Sequence, residues 1–216
     1  MKNYVSASVL SADMLSLGDE IKKLEKNGIE MLHFDVMDGI FVNNITFGLP
    51  VLERMKNKTD IVLDVHLMIA DPLKYVKRFA ESGADIISFH IESDSDTMAT
   101  INVIRESGAK AALALKPATP AEEAYKYMPY LDMVLVMTVE PGFSGQKFMD
   151  MSDKISKIRK YADENGYDVD IEVDGGINDV TSETVKKAGA NVLVSGSYLF
   201  KAENMKETAD RLRSEI

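Results

Sequence analysis

Short apolar runs of strand length alternate with amphipathic stretches from one end of the chain to the other. Runs near 4–10, 30–36, 61–67, 84–90, 110–115, 131–137, 169–174 and 191–195 predict eight strands. Between them, helical periodicity marks Leu15 to Lys26, Leu73 to Glu81, Thr97 to Glu106, Asp153 to Asn165, Ser182 to Lys187 and Asn204 to Arg213. Gly28, Gly83, Gly108 and Gly189 each separate a helix from the next strand, where a left-handed residue closes the helix. Thr119-Pro120-Ala121-Glu122 reads as a capping box with proline at the first helical position, and Asp71-Pro72 as a related cap. Eight such units in 216 residues leave roughly 27 residues each, which suits a compact α/β chain folded as a (β/α)8 TIM barrel. An open doubly wound sheet is the competing arrangement. No linker or low-complexity tract interrupts the pattern, so a single barrel domain over residues 1–216 is expected.

Three of the apolar runs end in imidazole or carboxylate and then break. Side chains alternate along a strand, so His33 shares a face with Asp35, Asp64 with His66, and Glu172 with Asp174. Burying such pairs costs several kcal/mol per ion unless something compensates, and a divalent metal and a proton-moving reaction would do so. In a barrel, chemistry lies at the C-terminal ends of the strands, where His33, Asp35, His66 and Asp174 fall. Two imidazoles and two carboxylates suit Zn²⁺, Mn²⁺, Fe²⁺ or Co²⁺. One carboxylate on each side of a carbon next to a ketone would let Asp35 and Asp174 invert it through an enediolate, with a metal stabilising both oxygens. Asp38 reads as a loop residue, Asp64 as an orienter of a ligand, and His90 as a core histidine. Met37, Met68 and Met137 follow three different strands and are either core filler or the lining of an enediolate site.

Late in the chain, Pro141-Gly142-Phe143-Ser144-Gly145-Gln146, Gly175-Gly176 and Gly196-Ser197 follow the last three expected strands. Glycines there let backbone N–H groups approach a phosphate. Composition changes the picture in two ways. A net charge of −10 excludes general nucleic-acid binding and leaves anion binding to local backbone dipoles. The chain has 0 cysteines, so no disulfide or thiolate metal site is possible and a reducing, cytoplasmic setting is expected. No apolar stretch approaches the roughly 20 residues of a membrane span.

Taken together, the chain resembles the ribulose-phosphate 3-epimerase family along nearly its whole length. The resemblance rests on Ser8-Val9-Leu10-Ser11-Ala12-Asp13, His33-Phe34-Asp35-Val36-Met37-Asp38-Gly39, Asp64-Val65-His66-Leu67-Met68, Val136-Met137-Thr138-Val139-Glu140-Pro141-Gly142-Phe143 and Glu172-Val173-Asp174-Gly175-Gly176. It implies one divalent metal per chain, Zn²⁺ first, on His33, Asp35, His66 and Asp174, with Asp35 and Asp174 as the acid/base pair. It also implies contacts to a phosphorylated ketose from Ser8, His66, Gly142, Phe143, Ser144, Gly145, Asp174, Gly175, Gly176, Gly196 and Ser197, and a homo-oligomer. The implied reaction interconverts D-ribulose 5-phosphate and D-xylulose 5-phosphate; a sister group acts on allulose 6-phosphate. Ala7, Asn43, Lys116, Glu140, Ser144 and Tyr198 depart from the usual family residues, the last four where sugar preference could be adjusted.

Two other functions compete. Related phosphate-binding barrels act as lyases through an Asp-x-Lys motif on the third strand, but this chain has Asp64-Val65-His66 there. A non-catalytic sugar-phosphate sensor could use the glycine loops yet would have no reason to carry two opposed carboxylates.

Overall fold

Eight parallel strands hydrogen-bond in chain order and the last pairs with the first, closing a barrel. They are β1 (Tyr4–Ser8), β2 (Met31–Met37), β3 (Val62–Met68) and β4 (Ile86–His90), followed by β5 (Lys110–Leu115), β6 (Met133–Met137), β7 (Asp170–Asp174) and β8 (Val192–Ser195). The helices are α1 (Leu17–Lys26), α2 (Leu49–Lys56), α3 (Val76–Glu81), α4 (Thr97–Glu106), α5 (Glu122–Tyr125), α6 (Ser152–Asn165), α7 (Asp179–Ala188), α8 (Ser197–Phe200) and α9 (Met205–Arg213). This computed structural model describes residues 2–143 and 145–215. The closed order bears out the barrel and removes the open sheet from consideration. Among the described residues, no helix is long and apolar enough to cross a membrane.

Apolar residues occupy both faces of most strands because each strand is covered outside by helices and packed inside the barrel. The main core lies between the two shells, with Phe34, Leu63, Val65, Ile87, Phe89, Leu113, Val134, Ile171 and Leu193 fully buried against helix residues such as Leu24, Leu52 and Ile104. Inside the barrel, a basal layer of Met31, Ile86, Ala112, Met133 and Val192 packs with Tyr4 and Val62. Ala114, Leu135 and Met137 continue upward on the β5–β6 side with Val139. The opposite side changes character two residues above the basal layer. There the inward positions hold Ser6, His33, Asp64 and Glu172, and then Ser8, Asp35, His66, His90 and Asp174. Register makes neighbours of them: Ser8 pairs with His33 and His33 with Asp64, while Asp35 pairs with His66.

Several boundaries differ from the sequence expectation for identifiable reasons. Residues Val9–Ser11 leave β1 for a 3-10 turn, and Met14–Ser16 form another before α1. The expected capping box at Thr119 does not form. α5 begins after Ala121 without a side-chain cap, because the Thr119 hydroxyl donates instead to Glu92 Oε1. Asp71 likewise caps nothing; its Oδ1 accepts the Ser95 hydroxyl at 2.6 Å, while Pro72 opens only a 3-10 turn.

Candidate active site at the C-terminal mouth

His33 is fully buried, and its Nδ1 lies 2.7 Å from Asp64 Oδ2. The same oxygen accepts the Ser6 hydroxyl at 3.1 Å. With Nδ1 held by Asp64, the second ring nitrogen of His33, Nε2, faces the mouth. That nitrogen is 3.3 Å from His66 Nδ1, 3.3 Å from Asp35 Oδ1 and 3.9 Å from Asp174 Oδ2. His66 Nδ1 is in turn 3.3 Å from Asp35 Oδ1. Ser8 donates its hydroxyl to Asp35 Oδ2 at 3.0 Å, which turns the other carboxylate oxygen toward the two rings.

His33, Asp35, His66 and Asp174 therefore present one ligand atom each, all within 4.8 Å of one another. Three of these four atoms, His33 Nε2, His66 Nδ1 and Asp35 Oδ1, stand 3.3 Å apart, and metal bonds of about 2.0–2.1 Å in tetrahedral array would place such ligands about 3.3–3.4 Å apart. The donor types and spacing fit a divalent cation. Electrostatics agrees. Burial alone would lower the pKa of His33, but the charges of Asp35, Asp64 and Glu172 outweigh it and hold the ring well above 6.5. The cluster thus calls for positive charge, which a proton supplies singly and a divalent ion more fully.

The two carboxylates of the cluster differ. Burial tends to raise the pKa of Asp35, yet the charge and hydrogen bonding of His33 and the proximity of the His66 ring hold it far below the ordinary carboxylate range. Asp174 is pushed up to about 6, by desolvation first and then by Asp35 and Asp64, against the pull of His33 and His66. Below them, Glu172 is held well above the usual range by burial and by the charge of Asp64.

Above the cluster opens a cavity of about 980 Å³ whose lining includes Ser8, Asp35, Asp174, Met37, Met68 and Met137. Its far wall carries Gly142, Phe143, Gly145, Gly175, Gly176, Gly196 and Ser197, with Glu140 and Tyr198. The sequence-derived set thus converges, with two qualifications. His66, fully buried, lies beneath the cavity floor and does not line it. Ser144 lies outside the described residues. Met37, Met68 and Met137 are buried and also line the cavity.

The glycines serve loop packing as well as approach. A Cβ on Gly175 would stand 2.6 Å from Val139 Cγ2 and 2.8 Å from Val139 N, and one on Gly176 would meet Phe148 N at 2.9 Å. These contacts press the loop after β7 onto the loop after β6, and both glycines have positive φ. Asn44 Nδ2 donates to Gly142 O at 2.9 Å and joins the loop after β2 to the same wall. Asp38 organises that loop: Oδ1 accepts the N–H of Ile40 and Phe41, and Oδ2 that of Ala70 at 2.8 Å.

Sequence reasoning assigned no role to Glu172 and read His90 as a core residue. His90 is buried, but its Nε2 is 3.0 Å from His66 Nε2 and its Nδ1 3.1 Å from Glu92 Oε2. The signal was present: His90-Ile91-Glu92 repeats at the end of β4 the His-x-acid spacing of His33-Phe34-Asp35.

Comparison with known proteins places these features. The model of the ribulose-phosphate 3 epimerase family matches residues 4–200. A ribulose-phosphate 3-epimerase of Bacillus subtilis (strain 168) is 46% identical over 211 residues, covering 97% of each chain. One from Synechocystis sp. is 45% identical, covering 99% of this chain and 94% of the relative. Among solved structures, 3-keto-L-gulonate-6-phosphate decarboxylase from Vibrio cholerae superposes with a TM-score of 0.71 at 13% identity, covering 99% of this chain and 96% of that one. Orotidine 5'-phosphate decarboxylase from Pyrococcus horikoshii gives 0.67 at 16% identity, covering 98% and 100%. At such identities these two share the fold alone.

Proposed function

This chain belongs to the ribulose-phosphate 3-epimerase family, and we propose that Asp35 and Asp174 are the two proton-transfer groups with which it interconverts D-ribulose 5-phosphate and D-xylulose 5-phosphate. The observation that carries the assignment is the placement of two carboxylates on separate strands, β2 and β7, three apart around the barrel, at the floor of one cavity and against the same ring nitrogen of His33. Epimerisation needs a base on one face of carbon 3 and an acid on the other. Before any cation joins them, the Asp35 carboxyl is held low while that of Asp174 is raised to about 6, the separation that such a division of labour uses. Ser8 holds the reacting orientation of Asp35. The backbone around Gly142, Gly145, Gly175, Gly176, Gly196 and Ser197 receives the phosphate across the cavity, and Met37, Met68 and Met137 keep competing proton donors away from the reacting carbon.

The donors His33, Asp35, His66 and Asp174 favour Zn²⁺, with Mn²⁺, Fe²⁺ or Co²⁺ as alternatives. When bound, the ion supplies positive charge for the enediolate oxygens. A homo-oligomer in the cytoplasm completes the reading; exposed Leu15, Ile40 and Ile45 supply apolar surface for self-association.

The deciding experiment compares kcat/KM for D-ribulose 5-phosphate and D-allulose 6-phosphate on one metal-loaded sample. The cavity volume admits either sugar, so one carbon should discriminate by only ~10–200-fold. A tenfold preference for allulose 6-phosphate would overturn the substrate and spare the two-carboxylate arrangement. Full activity after rigorous metal removal would overturn the metal assignment.

A further inference from the structure

We propose that His90 and Glu92 are positioning residues that set the tautomer of His66 through an unbroken chain of side-chain hydrogen bonds, and so aim its Nδ1 lone pair at the reacting end of the site. The proposal rests on the metal-ligand reading of His66 given above and extends it to two residues outside the ligand set.

The chain can be read from its outer end. Glu92 lies just past β4, where its Oε1 accepts the backbone N–H of Lys116 at 2.8 Å and the Thr119 hydroxyl. These donors come from the loop after β5, which Lys154 pins by donating to the Lys116 and Pro117 carbonyls at 2.7 and 2.8 Å. With Oε1 so engaged, Oε2 faces His90 Nδ1 at 3.1 Å. A carboxylate only accepts, so the proton of His90 stands on Nδ1. With the ring proton committed to Nδ1, Nε2 is the acceptor of this ring. His90 Nε2 and His66 Nε2 are 3.0 Å apart, a contact that holds one proton between two nitrogens. That proton must come from His66 Nε2. His66 Nδ1 is left with a lone pair, 3.3 Å from both His33 Nε2 and Asp35 Oδ1.

A histidine kept only for packing is commonly satisfied by backbone or water. Here both ring nitrogens of His90 are engaged by side chains, one in the cluster and one anchored to a different loop. The two ligand rings are therefore oriented differently: His33 directly by the Asp64 carboxylate, His66 by a neutral ring with a carboxylate behind it.

Glu92→Gln tests the chain because its outcome is dictated by the anchors. Lys116 N–H and the Thr119 hydroxyl still need an acceptor, so the amide oxygen stays with them and the NH₂ turns to His90 Nδ1. His90 must then carry its proton on Nε2 and donate to His66, whose proton moves to Nδ1, where a ligand lone pair is required. Long-range ¹⁵N–¹H spectra of the imidazoles in metal-free protein report both tautomers, and competition against a chelator reports Zn²⁺ affinity. The expected result is Nε2–H on His66 and Nδ1–H on His90 in the wild type. In Glu92→Gln both reverse, and Zn²⁺ binds about 10–100-fold more weakly, the usual cost of losing such a partner. Nδ1–H on His66 in the wild type overturns the proposal whether or not the variant folds. So does a folded variant with unchanged tautomers and unchanged Zn²⁺ affinity. Because the tautomers are read without metal or substrate, a wild-type protein lacking epimerase activity would count against the proposed function and not against this assignment.

Discussion

Beneath the cluster, Asp64 and Glu172 form a buried pair whose response to neutralisation can be worked out from its contacts. Among the described residues, Asp64 Oδ1 and both oxygens of Glu172 are buried without a hydrogen-bond partner, although both carboxyls lie beside His33. One proton shared between the two carboxyls gives Asp64 Oδ1 and Glu172 a bond where two bare carboxylates would repel. Burial and the Asp64 charge place that proton on Glu172. Asp64 remains the anion, since despite burial the His33 charge and the bonds from His33, Glu172 and Ser6 hold its pKa down. Glu172→Gln should then be mild, because an amide N–H replaces the acid O–H as donor to Asp64. Asp64→Asn keeps the shape but removes the charge behind His33. A hydrogen bond to a charged group contributes about 1.5–3 kcal/mol, and at about 1.4 kcal/mol per tenfold its loss should weaken Zn²⁺ binding about 10–100-fold, in line with other ligand-supporting partners. Chelator competition on folded variants, checked by thermal unfolding, measures both. Equal losses from the two substitutions, or none from Asp64→Asn, would refute the shared proton and the polarity assigned to it.

Two further outcomes follow from the same geometry. Asp35→Asn and Asp174→Asn should each lower turnover by at least ~10²–10⁴-fold, the range of one general acid or base, with metal content assayed in each variant; a metal-replete Asp174→Asn protein with wild-type turnover would remove Asp174 from proton transfer. Gly175→Ala should cost about 2–4 kcal/mol of stability, since its Cβ would lie 2.8 Å from Val139 N at a φ of +127°; an unchanged denaturant midpoint would contradict that close approach.

The strands and the four-residue cluster were legible because both depend on local pattern. A strand buried on both faces is a nearly continuous apolar run, so His33, Asp35, His66 and Asp174 stand out against it, and period-two alternation aims them inward. Less legible were features decided by partners distant in sequence. α2 has no counterpart among the expected helices; Pro50 in its first turn looks like a break, whereas there it costs no hydrogen bond. Thr119 and Asp71 have cap chemistry, but Glu92 and Ser95 compete for their side chains once the barrel brings those residues near. The partners of His90 were hidden for a related reason. A histidine on an apolar strand has no visible partner until β3 and β4 pair, and only the acid two residues later marked it.

The same barrel carries decarboxylases and epimerases, so its shape does not select the chemistry. Selection lies in which inward positions present lone pairs and which present protons. At the end of β3, a lysine would bring an ammonium with donors only. His66 instead presents one nitrogen to the cluster and one to His90, so it both contributes a lone pair and receives orientation from outside the cluster. That requirement extends the site outward, since an imidazole can donate its lone pair reliably only if its second nitrogen is held. Asp64 does this for His33 on the neighbouring strand, and His90 with Glu92 does it for His66 from the next strand and loop. The polar rows inside β1 to β4 thus form one hydrogen-bonded network, from Ser6 and Asp64 through His33 and His66 to His90 and Glu92. The interior is polar on that side and filled by Ala114, Leu135 and Met137 on the other.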